Sequence, residues 1–349
     1  MFKTRNIVIA LIIFLVLSFF LQANYFAVKP GTIEDLTEII SVENNTNNNG
    51  KFYLVTVAQQ PANLVLFFNT IIDPAVDLIP RWQVMPPDMD PEEYNDMMLQ
   101  WMRDSQNLAK VIALEKVGYS IPVKSDGVKV VDLMEDSPAR NILQPGDIIL
   151  ELDGEKGLLA EELVENIQEK QPGESVTVTF KRNDKIFTEA IPTATHPEDE
   201  NKAGLKIYIR TLRWEPELPV DIEIDTGKIA GPSGGLMFVL EIINQLTSDD
   251  ISNGKKIAGT GTINLKEEIG PIGGVKQKIA AAEDVGADIF FVPSENIDEA
   301  RLVARDVQLV EVNSLDEVLN YLKDISLMTP SLTMMRVSFI KMGNVMYVI

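Results

Sequence analysis

Cysteine is absent from this 349-residue chain, and histidine occurs once, at His196. No disulfide framework can form, so stability must come from packing, and thiol nucleophiles and thiolate metal sites are excluded. A Ser-His-Asp triad could draw only on His196, which sits in the linker-like stretch Thr-Ala-Thr-His196-Pro-Glu-Asp-Glu. No metal site and no cofactor is expected. Positive charge is also short: 31 lysines and arginines face 52 aspartates and glutamates, a net charge of −21. Such a chain has no basic face with which to neutralise phosphates, so nucleic acid is not expected as a partner. The nucleotide loop Gly-x-x-x-x-Gly-Lys-Ser/Thr is missing too. In Gly270-Pro-Ile-Gly-Gly-Val-Lys276, Val275 separates the glycines from the lysine, and Gln277 follows it.

Apolar residues are plentiful, at 45%, enough for the cores of two or three domains. The one long apolar run follows Lys3 and Arg5 and extends from Ile7 to Leu21, continuing through Tyr25 to Val28. Up to Leu21 the run has the length of a signal-peptide core; through Val28 it is long enough to cross a bilayer. Leu21-Gln-Ala23-Asn-Tyr25 is a poor cleavage site, which favours an uncleaved transmembrane anchor over 1–28. The Lys3/Arg5 pair places the N-terminus in the cytoplasm and the rest outside, a single-pass protein of the cell membrane. Residues 29–50 read as a linker ending in the low-complexity Asn44–Gly50 stretch. Lys51–Val57 reads as a buried strand, Asn63–Ile72 as a second apolar segment, and Glu92–Val117 as a long helix after the stop Pro86–Pro91. A methionine and tryptophan stripe (Met97, Met98, Trp101) on that helix reads as core.

From 118 to 197 a different module follows. Asp126–Val131 is a strand, Asp136-Ser-Pro-Ala-Arg140 opens a short helix, and Leu143–Gly154 carries a turn, a strand and a hairpin signal. These Ser-Pro-Ala, Pro-Gly-Asp-Ile-Ile and Asp-Gly elements resemble a PDZ domain. The resemblance implies peptide binding by strand addition, with Tyr119 and Ile121 in the carboxylate-binding loop. The same module could instead act as a spacer or a cover whose groove stays unused.

The chemistry concentrates in 198–325. Alternating Val220–Asp225 reads as a strand, and Leu236, Met237, Leu240, Ile243 and Leu246 recur at helical spacing. Ser233, in Gly231-Pro-Ser-Gly-Gly235, therefore stands where a glycine-rich turn opens a helix. The glycines admit close approach, and the N–H groups of the first turn can face an oxyanion, with Gly231 and Gly234 as candidates. A serine needs a base, and a lysine kept neutral by apolar surroundings can supply one. Lys276 fits, at the start of a helix ending near Gly286, with Lys278 as its solvated neighbour. Such a turn on its own is more often a tight connection or an anion site than a nucleophile.

Ile229–Gly235, Gly259–Lys278 and Ala287–Asn296 together resemble the Lon protease proteolytic domain. That resemblance implies a Ser-Lys dyad at Ser233 and Lys276, with Thr260 or Thr262 orienting the lysine. Two positions depart from the family: Ala230 stands where aspartate is frequent, and Gly234 where alanine is usual. The order anchor, strands, PDZ, Lon-type domain is similar to that of membrane-anchored PDZ-containing Lon-like proteases. The expected architecture is α/β (α+β): a Lon-type proteolytic domain with a PDZ domain, preceded by one transmembrane helix. On this reading 51–117 is the first part of the proteolytic domain with the PDZ module inserted into it; a separate small domain gives the same pattern. The implied activity is that of an ATP-independent serine endopeptidase cleaving extended peptides or protein segments outside the membrane, by analogy as a homo-oligomer. The alternative is a proteolytically silent PDZ-led scaffold or quality-control receptor. The tail 326–349, rich in methionine, has no assigned role.

Overall fold

The computed structural model describes residues 4–43, 45, 51–86, 89–197 and 199–328. The tail from 329 lies outside the described residues. Helix α1 (Thr4–Asn24) runs without a break into strand β1 (Tyr25–Asp35). Strand β2 (Lys51–Pro61), helix α2 (Leu64–Ile72), strand β3 (Asp77–Pro80), the single turn α3 (Arg81–Val84) and the long helix α4 (Pro91–Lys116) follow. The Asp90 carboxylate caps α4, accepting from the Glu92 and Glu93 N–H groups, and Pro91 takes the first turn, where a missing N–H is harmless.

Residues 29–35 are thus not linker. Apolar Tyr25–Val28 begins a strand rather than extending α1, and the pairing of that strand to β2 continues across an irregularity between Pro30 and Ile33. β1 also pairs antiparallel with β3.

Among the described residues six antiparallel strands form the second module's sheet: β4 (Val128–Leu133), β5 (Ile148–Leu152), β6 (Ser175–Arg182), β7 (Lys185–Pro192) and β8 (Ile207–Thr211), in the order β7-β6-β5-β4-β8, with the two-residue strand Glu155–Lys156 paired to β5 off this path. Helix α5 (Ala160–Gln168) covers one side through Leu163 and Ile167. The expected helix at Asp136–Arg140 is a series of turns, because Ser137 instead fastens the loop: its hydroxyl donates to Leu205 O and accepts from Ala139 N. The module reaches past 197, since β8 is one of its edge strands. Its two ends leave side by side: Val123–Ser125 pairs antiparallel with Trp214–Pro216.

After this excursion the chain rejoins the first sheet. Helix α6 (Gly235–Leu246) precedes strand β9 (Lys256–Gly259); helix α7 (Val275–Asp284), strands β10 (Ile289–Pro293) and β11 (Gln308–Val312) and helix α8 (Leu315–Met328) complete the fold. The sheet order is β11-β10-β9-β2-β1-β3, so strands on either side of the second module share one sheet. β9 runs parallel to β2 and to β10.

Both faces of this sheet are covered, which the alternation along each strand explains. Phe52, Leu54, Ile257, Ile289 and Phe291 pack with α6 and α4. Tyr53, Val55, Ala258, Phe290 and Val292 point the other way and pack with α7. Among the residues of α6, Gly235 to Gln245 are all buried. Helices α6 and α7 therefore lie on opposite faces, and their side chains can meet only past the end of a strand.

Candidate active site

That meeting happens at the carboxyl end of β9, where parallel strands leave a crevice. Ser233 lies in the turn before α6, held from several sides. Its carbonyl accepts from Gly261 N at 2.9 Å and from the Thr260 hydroxyl at 3.0 Å. Pro232 O accepts from the Ser105 hydroxyl of α4 at 3.2 Å and from Gly235 N at 3.2 Å. The turn requires glycine at 231: φ is +97°, and a Cβ there would sit 2.7 Å from Met98 Cε.

The lysine that meets Ser233 is Lys278. Its Nζ lies 2.8 Å from Ser233 Oγ and 2.8 Å from Thr260 Oγ1. Lys276 is elsewhere. Its amine pairs with Asp77 of β3 at 2.6 Å, and Gln277 Nε2 donates to the same carboxylate at 2.8 Å. The reason is helical phase. Val275, Ile279 and Ala282 form the buried stripe of α7, and Lys278 stands within it, three residues after Val275 and four before Ala282. Lys276, two residues earlier, is roughly 200° away around the helix. Sequence reasoning that took the first lysine after the glycines missed this; the apolar spacing of 275, 279 and 282 is the signal that identifies 278.

Lys278 is only 2% exposed, and burial without a carboxylate partner lowers its pKa from 10.5 to about 7. The hydrogen-bond inventory also orients it. Thr260 has one hydroxyl proton, already given to Ser233 O, so Thr260 Oγ1 must accept from an N–H of Lys278. The lone pair of the neutral amine is thereby left for the Ser233 hydroxyl. Thr262, the other candidate, stands in a short strand pairing with Gly270 and is not a partner of this lysine.

Of the two oxyanion candidates, Gly231 is unsuitable: its N–H donates to Met98 O at 2.9 Å. Gly234 is the N-cap of α6, and a Cβ there would come 2.6 Å from Leu54 Cδ1, so a larger residue would have to push the Leu54 side chain aside. Among the described residues neither the Ser233 nor the Gly234 N–H is spent on a backbone partner. Both precede the positive end of a fully buried helix. Ser233, Gly234 and Lys278 line a cleft of about 960 Å³, walled by β2 from Leu54 to Gln59, by Phe26 and Pro30–Thr32 of β1, and by the 225–231 loop.

In the second module a smaller groove runs between α5 (Leu163, Val164, Ile167) and the 203–209 segment. Tyr119 and Ile121 are not near it. They follow α4, where Tyr119 is exposed and Ile121 is buried in the core of the first sheet with Trp214. Among the described residues no group of three His, Asp or Glu could hold a metal ion.

Residues 215–324 match the family model of the Lon protease (S16) C-terminal proteolytic domain, and residues 111–192 that of the PDZ domain. The chain carries both domains. Over 109 residues it is 36% identical to the Lon protease of Metamycoplasma arthritidis, an alignment covering 30% of this chain and 13% of that one. Over 141 residues it is 33% identical to the Lon protease of Chloroflexus aggregans, covering 39% and 16%. The chain thus spans only a small part of the length of these curated relatives. Among solved structures, the PDZ domain of the SdrC-like protein of Listeria monocytogenes is 29% identical, covers 25% of this chain and 92% of that one, and gives a TM-score of 0.23. Ser233, Thr260 and Lys278 all fall inside the Lon-type match, whereas β1, β2 and β3, which complete its sheet, lie outside it.

Proposed function

We propose that this protein is a membrane-anchored serine endopeptidase working through a Ser233–Lys278 dyad, with Thr260 as the residue positioning the lysine. The observation that carries the reading is a buried, partnerless-by-charge amine 2.8 Å from the hydroxyl of a serine in a glycine turn. Neutral Lys278 takes the Ser233 proton as Oγ attacks a peptide carbonyl. The Ser233 and Gly234 N–H groups face the oxyanion, and the lysine ammonium then returns the proton to the leaving amine. Water deacylates the enzyme by the same route in reverse. A base placed in this way contributes about 100- to 10,000-fold.

Helix α1, 21 residues long, spans roughly 30 Å, the thickness of a bilayer's hydrocarbon core. With Lys3 ahead of it in sequence and Arg5 in its first turn, the reading places both domains on the extracytoplasmic side. The groove beside α5 is suited to holding an extended segment of substrate. No nucleotide is needed in this scheme, so substrates are segments that are already extended. Purified full-length chain in detergent, offered an unstructured protein, tests it: Ser233→Ala and Lys278→Met should lose cleavage while Lys276→Met keeps it. Cleavage by Ser233→Ala equal to the parent's would remove the dyad and leave a peptide-holding scaffold.

A further inference from the structure

Helix α2 is an anomaly on a water-soluble surface. Between Lys51 and Asp73 the chain has no charged side chain, and α2 itself reads Leu-Val-Leu-Phe-Phe-Asn-Thr-Ile-Ile. None of its residues is buried: Ile71 is 71% and Ile72 80% exposed. An apolar helix that the described part of its own chain leaves largely uncovered marks an interaction site. The surroundings say which kind. α2 and α3 both pack beside α1, the helix long and apolar enough to cross a membrane. No linker separates α1 from β1, so these elements sit directly at its end. Trp82 in α3 is also exposed, and Arg81 lies over the Phe26 ring at 6.0 Å, a combination of aromatic and basic groups that suits the headgroup level.

We propose that α2 and Trp82 enter the boundary between headgroups and acyl chains beside α1, as an interfacial helix, and hold the mouth of the cleft against the lipid surface. The attachment is stiff. β3, between α2 and α3, pairs with β1 through Phe26 and Ile79, and Phe26 also lines the cleft. Asp77 of β3 is bonded to Lys276 and Gln277 of α7, the helix carrying Lys278. A bilayer gripping α2 therefore fixes the height of the cleft, and the substrates are segments of other proteins that flank the membrane. This inference rests on the reading that α1 spans a bilayer and that Ser233 is the nucleophile.

Because the chain has no native cysteine, single thiols can be placed cleanly. Phe68→Cys and Ile72→Cys, each in the full chain and labelled with an environment-sensitive dye, are reconstituted in phosphatidylcholine–phosphatidylglycerol vesicles. Leu302→Cys, exposed at the end of the short helix that packs by β10 and β11, at the sheet edge opposite β3, is the reference. The dyes at 68 and 72 should shift to the blue and be quenched by spin-labelled lipid, independently of the protein-to-lipid ratio, while that at 302 is unaffected. Absence of quenching in a chain that floats with the vesicles and cuts a soluble peptide overturns the interfacial helix and leaves the anchored protease standing. Protection that grows with the protein-to-lipid ratio assigns the face to a second copy and overturns it too. A chain that does not float overturns the anchor itself. For the substrate class, Ile71→Asp/Ile72→Asp should cut the soluble peptide at the parent rate but lose roughly tenfold or more on a vesicle-inserted peptide cleaved next to its span. Equal rates on both substrates overturn that part.

Discussion

At the residue scale the molecule turns on one amine that the fold makes hard to charge. A pKa of about 7 in place of 10.5 corresponds to roughly 5 kcal/mol of lost stability when the lysine is protonated in the fold, at about 1.4 kcal/mol per unit. The sign follows from linkage: below about pH 7 the native state carries the full penalty, and between about 7 and 10.5 only the unfolded chain holds the proton, so stability rises with pH. Lys278→Met should therefore be at least as resistant to urea as the parent at pH 6, and its advantage should shrink on the way to pH 10. A variant less stable than the parent at pH 6 would mean that the amine is better solvated than its 2% exposure indicates. Thr260→Val leaves the lysine its burial but removes the acceptor that aims it. A loss of about 10- to 100-fold in kcat with KM unchanged is expected, and Thr260→Ser should restore most of it.

At the scale of elements, the turn before α6 and the helix α7 bring the Ser233 hydroxyl and the Lys278 amine together from opposite faces of a sheet. Gly231→Ala forces an L-residue into φ +97° against Met98, and a loss of about 1–2 kcal/mol in stability, with a larger loss of activity, is expected from thermal melts and peptide turnover. Much of this was legible in the sequence. The Ser233 turn announces itself by its glycines, and α6 by its apolar period. The choice between Lys276 and Lys278 was legible only through helical phase, which two adjacent-looking lysines conceal. β1 was hidden because Tyr25–Val28 resumes the apolar run after only Gln22 and Asn24, so the polar pair at the end of α1 reads as an interruption of one span rather than as its boundary. The Tyr119 and Ile121 assignment failed for the opposite reason: of a loop placed by sequence offset from a groove, Ile121 is packed in the core of a different sheet and Tyr119 is exposed away from the groove.

At the scale of the whole molecule, one domain is inserted in another's topology. β9 lies between β2 and β10, so a fragment beginning at residue 198 lacks β1, β2 and β3 and would expose both faces beside β9. Such a fragment should be insoluble or molten by hydrogen exchange, although it contains both Ser233 and Lys278. A well-protected, monodisperse fragment would contradict the shared sheet. The ends of the PDZ module leave as a paired two-stranded ribbon that is anchored in the core of the first sheet through Trp214, and Glu161 and Glu165 of α5 bond to Leu265 and Lys266 beyond it. In the proposed mechanism Lys278, and not Lys276, activates Ser233 in the intact chain. The rate at which an acylating serine probe labels full-length protein, followed from pH 5 to 9, tests it most directly. The prediction is a rise through about pH 7 to a plateau, kept in Lys276→Met and lost in Lys278→Met and Ser233→Ala. Labelling that survives in Lys278→Met with the same pH dependence would contradict it.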